Sequence, residues 1–374
     1  MNRFLDTISD PIKALTKWKE ENKRKIIGCT PMHIPEEPIH AAGMLPVVLW
    51  ESNEPITQAH AHIQPFFCGY VRSIIDMALK GELGFLDGMI FSDDCLAIQD
   101  LNFLVAENVA MSYHEYIHLP STPKASASRA YLIDEVNKFK VSLEAFGGHE
   151  ISEESLQQSI IIYNKNRALL RRLYQLRRQN PGIIKAKEVL AIVQSSMLMP
   201  KEEHSKLLEE LLPELEKRKP VVNGKTRLFL SGSLCQAPKI DILDLIEEEG
   251  GIVVDDDIYT GFRYFATDAR TTGNPIEALA DREINAELRC PTKTDPDNDW
   301  ADQIVQKVKQ AQAQGVITLQ VKCCEPHLFS HPDIEEKLNK NKIPELFLEV
   351  EHEIMSLEPI RTRVSAFIEA LEVN

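Results

Sequence analysis

Apolar and polar positions change their period along the chain, and the changes mark its organisation. Near the N-terminus Leu5, Ile8, Ile12, Leu15 and Trp18 recur at intervals of three or four and lead into Lys17, Lys19, Lys23, Arg24 and Lys25. Residues 1–24 therefore read as one amphipathic helix with a basic end. Beyond it, short apolar runs alternate with polar stretches of helical length, the pattern of a parallel α/β sheet. Residues 25–28, 46–50 and 86–91 read as buried strands, and 35–42, closed by Gly43, and 69–80 as helices. From about 130 to 220 the strand signal fades, while 153–178 and 201–219 combine helical spacing with dense charge. Strands then resume at 227–231, 252–255, 316–321 and 346–350, with a helix at 240–249 stopped by Gly250-Gly251 and a closing helix at 360–371. The expected fold is α/β: two Rossmann-like parallel-sheet domains joined by a helical segment. Its parts are an N-terminal helix (1–24), a first α/β domain (25–130), a helical connector (131–223) and a second α/β domain (224–374). No internal sequence repeat relates the halves.

Composition narrows the function. A chain of 374 residues, 43% hydrophobic and 26% charged, has material for two cored domains. Its net charge of -15 argues against a nucleic-acid backbone as partner, because such binding needs a concentrated basic surface. The N-terminal segment lacks the uninterrupted apolar core of a secretory signal, and no apolar run approaches bilayer length. A cytoplasmic location is expected, where the 7 cysteines serve as thiols, metal ligands or catalysts before disulfides.

Ligands of open parallel sheets sit at the carboxyl ends of the strands. The positions just beyond the expected strands are Cys29, Glu51, 92–95, 231–235, 255–257, 322–325 and 351–353, and four of these places contain cysteine. A single cysteine is more often a small core hydrophobe; four at strand exits weaken that reading. Neither G-x-x-x-x-G-K-[ST] nor G-x-G-x-x-G follows a strand, and no C-x-x-C pair or H-E-x-x-H helix supports zinc. The remaining metal option is a cluster held by cysteines from separate loops, whose ligands spacing alone does not identify.

The segment Pro35-Glu36-Glu37-Pro38-Ile39-His40-Ala41-Ala42-Gly43-Met44-Leu45-Pro46 resembles the signature of the smaller subunits of 2-hydroxyacyl-CoA dehydratases and class I benzoyl-CoA reductases. Phe67-Cys68, Leu86-Asp87-Gly88 before Cys95, Val254-Asp255-Asp256-Asp257, Cys324-Glu325-Pro326 and Arg361-Thr362-Arg363 follow in the family's order, so the resemblance spans nearly the whole chain. It implies an iron–sulfur subunit of an oxygen-sensitive enzyme acting on a coenzyme A thioester. Cys68, Cys95 and Cys324 would hold a [4Fe–4S] cluster with one iron open to an exogenous ligand. The implied partners are a homologous larger cluster-carrying subunit and ATP-hydrolysing subunits that supply low-potential electrons from ferredoxin. This agrees with the missing phosphate loop.

Cys29 is the runner-up ligand, and Cys323, adjoining Cys324, is expected to point away from it. Cys235 and Cys290 read as structural thiols. Glu51 and His33 are the candidate proton-handling residues, with His40 and His327 as further histidines beside motifs. Ser92, Asp93 and Asp94 are expected to cap the next helix, and the run 255–257 to cap a helix and contact the other domain. Spacing around Val254-Asp255-Asp256-Asp257, Tyr264-Phe265 and 328–332 looks closer to the reductase, which dearomatises an aromatic acyl-CoA, than to the dehydratase. A third reading is a cluster relay or scaffold whose companion binds the substrate.

Overall fold

The computed structural model describes residues 1–220, 225–232, 238–288, 290–293, 295, 299–354 and 356–373. Cys235 lies outside the described residues. The N-terminal amphipathic segment is two helices rather than one: α1 (Asn2–Ser9) and α2 (Pro11–Asn22). Asp10 leaves helical geometry at φ -145° and ψ 75°, and its carboxylate accepts the Lys13 N–H. Pro11 lacks the N–H that would continue α1 and fits the first turn of a new helix.

The first sheet is built from β1 (Ile26–Cys29), α3 (Glu36–Ala41), β2 (Leu45–Val48), α4 (Gly69–Leu79), β3 (Gly88–Ser92), α5 (Leu96–Asn108) and β4 (Tyr113–Ile117). Its strands are all parallel, in the order β2-β1-β3-β4. Strand β4 has no counterpart among the strands expected from the sequence, because only Tyr113 and Ile117 of its five residues are fully buried. At a sheet edge such a polar run loses the apolar signature of an inner strand.

Four helices follow: α6 (Ser128–Gly147), α7 (Glu153–Gln179), α8 (Ala186–Leu198) and α9 (Lys201–Glu216). The second sheet contains β5 (Thr226–Gly232), α10 (Ile240–Glu248), β6 (Gly251–Asp256), α11 (Pro275–Ile284), α12 (Trp300–Gln310), β7 (Gly315–Val321), α13 (Glu325–Lys340), β8 (Glu345–Val350) and α14 (Glu358–Val373). Its order, β6-β5-β7-β8, is again all parallel and repeats the topology of the first.

The middle helices are packed into the body of the molecule. One apolar cluster joins Phe4 and Val48 to Leu170, Leu173, Ile192, Leu208, Phe262 and Phe265, so α7, α8 and α9 share a core with α1, β2 and the segment after β6. Helix α11, although encoded beyond β6, packs on α6 and completes the apolar layer beneath the first sheet with Ile276 and Leu279. In each sheet the chain first moves to one side of its opening strand and then crosses to the other. That reversal opens a crevice at the carboxyl ends of β1 and β3, and of β5 and β7. No helix among the described residues is long and apolar enough to cross a membrane.

Candidate functional site

Three of the cysteines occupy the same kind of backbone position. Cys68 is the N-cap of α4, Cys95 of α5 and Cys324 of α13. Cys95 follows β3 and Cys324 follows β7, the third strand of each sheet in chain order, so two of the thiols stand at equivalent crevices. Cys68 packs against the apolar clusters of both sheets, which places it at the seam between them. None of the three forms a disulfide.

Electrostatics connect them. Burial, then Cys324, then Glu51 push the Cys68 thiol up to about 12, while the Val71 N–H and Arg72 pull the other way. Burial and then Cys68 raise Cys95, opposed by the Ile98 N–H. Desolvation wins over the helix N-termini, so Cys68 and Cys95 are neutral thiols when nothing is bound, and binding a metal centre would release their protons. Each helix N-terminus offers unpaired N–H groups and the positive end of a dipole to a thiolate. Soft sulfur donors from three separate elements fit an iron–sulfur cluster better than a single hard cation. No three His, Cys, Asp or Glu side chains among the described residues converge closely enough to hold one ion. A cubane binds its thiolates at separate corners and requires a wider spacing.

The seam is closed beside Cys68 by a contact that sequence reasoning missed. His352, just beyond β8, donates from Nδ1 to the Glu51 carboxylate and from Nε2 to the Glu54 carbonyl at 2.8 Å. With two acceptors the ring must carry both protons. Burial opposes that charge, but the Glu51 and Glu54 hydrogen bonds outweigh it and raise the His352 pKa. Glu51 is therefore one half of an ion pair joining the sheets. The signal was present in the sequence, since 351–353 is a strand exit. Gly69 makes the approach feasible: a Cβ there would lie 2.9 Å from both Glu51 Oε1 and His352 Cβ. Alongside runs a cavity of about 1020 Å³. Its wall carries Asp10, Glu51, Glu54, Asp241 and Glu353, with Lys239 and His352 as the cations.

His33 has a left-handed backbone conformation at φ 64° that follows Met32 at φ 69°. Its Nδ1 pairs with Glu283, and its Nε2 is 3.6 Å from Asp94, the neighbour of Cys95. Burial disfavours the imidazolium, yet Glu283 and then Asp94 raise its pKa to about 10. Burial raises Asp94 to about 6 despite His33 and the Ser92 hydroxyl. His33 is thus a held cation near the seam.

Other expectations are corrected. Ser92, Asp93 and Asp94 do not cap α5: Asp93 accepts from Gln99 and Tyr116 and pairs with His118, pinning the turn to β4, while Ser92 donates to Asp94. The acidic run accepts one helix-backbone bond, from the Phe262 N–H to Asp256 at 2.8 Å in the short helical turn after β6, but its main partners are cations. Asp255 pairs with Arg178, Asp256 with Arg177 and Asp257 with Arg263, so each buried carboxylate has a cation of its own. Cys323 is separated from Cys324 by a left-handed turn (φ 63°) rather than by strand alternation. Cys29 ends β1 with 1% exposure on the face of the sheet that packs Ile27, Ile39 and Ile90, whereas Cys68 and Cys95 lie against the cluster of the opposite face. Cys290 is buried with Met32, takes a hydrogen bond from Thr292 at 3.1 Å, and lies near His33 and Cys95.

The Pro35–Pro46 signature is a polar core. Glu37 pairs with Arg167, Glu36 accepts from Tyr264 at 2.8 Å and faces Lys201 at 3.2 Å, and Lys201 donates to Tyr264 at 2.6 Å. His40 contacts Ser159 at 2.8 Å and Glu202 at 3.1 Å. These residues come from α3, α7, α9 and the segment after β6, so the motif ties both sheets to the middle helices.

The family model described as 2-hydroxyglutaryl-CoA dehydratase, D-component, matches residues 31–371. The chain is 28% identical to one of the subunits of the benzoyl-CoA reductase of Thauera aromatica, over 96% of this chain and 94% of that protein. It is 30% identical to the (R)-phenyllactyl-CoA dehydratase beta subunit of Clostridium sporogenes, over 99% of this chain and 98% of that protein. To the beta subunit of the (R)-2-hydroxyglutaryl-CoA dehydratase of Acidaminococcus fermentans it is 28% identical, with the same coverage of each chain, 99% and 98%.

Proposed function

The chain belongs to the 2-hydroxyglutaryl-CoA dehydratase D-component family, and on that premise we propose that it is the iron–sulfur subunit of a class I benzoyl-CoA reductase. In this reading Cys68, Cys95 and Cys324 hold a [4Fe–4S] cluster with one iron left open. The observation that carries it is that three thiols from two sheets each start a helix, with Cys68 close enough to both Cys324 and Cys95 for their charges to interact. A bound cluster supplies low-potential one-electron chemistry. The chain's own groups do the rest. Helix N-termini stabilise the thiolates, the His352–Glu51 pair holds the two sheets around them, and the apolar clusters on either side of Cys68 keep water away.

The carboxylate-rich cavity wall disfavours the phosphates of coenzyme A, which supports a division of labour. This subunit handles the electron, and a homologous larger subunit binds the aromatic acyl-CoA. Exposed Phe66, Leu96 and Phe329 stand two residues before Cys68, one after Cys95 and five after Cys324, at 66%, 69% and 82% exposure. Large apolar groups left in solvent at the cluster end favour cover by that companion. Electrons would come from ferredoxin through ATP-hydrolysing subunits. The dehydratase reading is supported by the 30% identity to the (R)-phenyllactyl-CoA dehydratase beta subunit. Assay of the anaerobic complex with its electron donor, on benzoyl-CoA and on a 2-hydroxyacyl-CoA, separates them. Ring reduction without dehydration is expected; dehydration alone would replace the reductase reading.

A further inference from the structure

His327 stands at the third position of α13 and reaches back to the helix's own cap, with Nδ1 3.1 Å from Cys324 Sγ. The contact runs from side chain to side chain within the first turn, and the Cys324 sulfur makes no capping bond to the helix backbone. The ring is 4% exposed and meets the Trp300 indole edge to face, centroids 5.2 Å apart at 88°. Trp300 is itself fixed, because its Nε1–H donates to Asp257 at 2.9 Å and the Arg263 guanidinium lies 4.6 Å from its ring centroid. Arg263 pairs with the same Asp257 oxygen at 3.1 Å. The other ring nitrogen, Nε2, is buried without a hydrogen-bond partner among the described residues.

We propose that His327 is a positioning residue that tunes the reduction potential of this subunit's cluster by donating its Nδ1–H to the Cys324 thiolate. The inference rests on the cluster reading of Cys68, Cys95 and Cys324. A thiolate has no proton of its own to give, so once Cys324 is a ligand the proton of the contact must be on Nδ1. A hydrogen bond to a ligand sulfur stabilises the more negative, reduced state and raises the potential. The Asp257–Arg263–Trp300 assembly is what keeps the ring at that distance. This gives the buried end of the acidic run a use beyond ion pairing.

The test compares His327→Asn with His327→Leu in the anaerobically purified complex. The two replacements share a shape, and only Asn keeps a donor near the position of Nδ1. With iron and sulfide intact, the Leu variant should lower the ratio of reduced to oxidised cluster about tenfold at a fixed poise, a downward shift of about 59 mV for one electron. The Asn variant should stay with the unaltered protein. Equal potentials in the Asn and Leu variants overturn the inference. A measurement on the unaltered protein avoids any loss of cluster by a variant: pulsed EPR after ¹⁵N-histidine labelling should show one histidine nitrogen coupled to the reduced cluster. No coupling overturns the inference as well. An iron-free wild-type complex refutes the cluster reading itself, a result distinct from an iron-replete one without the histidine effect.

Discussion

At the scale of single residues, the signature around Glu36 and Glu37 illustrates what a sequence conveys. The motif was legible as a motif, but its partners were not, because Arg167 and Tyr264 lie 130 and 228 positions away. No local pattern encodes such pairs. Removing one partner of a buried ion pair strands the other, so Arg167→Met should cost about 3–5 kcal/mol in urea unfolding. Acid tests the same pair. Burial alone would raise Glu37, but Arg167 and then Arg282 hold it at about 2 against an ordinary 4.5. A carboxylate lowered on folding stabilises fully above its unfolded pKa and loses that contribution as pH falls through the folded one. Unfolding free energy should therefore fall between about pH 4.5 and 2, and the fall should be shallower in Glu37→Gln. An identical slope in both would show that Glu37 contributes nothing to the acid response.

At the scale of elements, most strands and the long helices were readable from periodicity, and the misses share a cause. Strand β4 is a polar edge, and the break between α1 and α2 depends on Asp10-Pro11, a cap signal placed inside an otherwise continuous apolar stripe. Resemblance, not spacing, selected the three cysteines, and the structure adds that all three start helices. The β8 exit meets the start of α4 only because residue 69 has no side chain. Gly69→Ala must push His352 or the Glu51 carboxylate away. It should cost about 1–3 kcal/mol, read as a lower urea midpoint, together with lower iron content, since Cys324 belongs to the far sheet. Unchanged stability and iron would show that the seam is looser than described. Cys29, on the opposite face of its sheet, makes the contrasting case: Cys29→Ala should leave iron content intact and cost only a packing penalty of about 1 kcal/mol.

At the scale of the whole molecule, two sheets of the same topology share apolar cores with the helices between them, and the proposed ligands come from each. A cluster there would link the sheets as a covalent staple would, and metal removal should lower the unfolding midpoint. The apolar residues at that end predict an interface. Phe329→Ser combined with Leu96→Ser should weaken the complex with the larger subunit, seen as earlier dissociation on dilution in size-exclusion chromatography, while the isolated chain keeps its fold. Iron and acid-labile sulfide in anaerobically purified complexes carrying Cys68→Ala, Cys95→Ala, Cys324→Ala or Cys29→Ala report the ligand set. Each of the first three should lose this subunit's cluster, and Cys29→Ala should keep it. Retention of full iron in any of the first three, or its loss in Cys29→Ala, would contradict that ligand set.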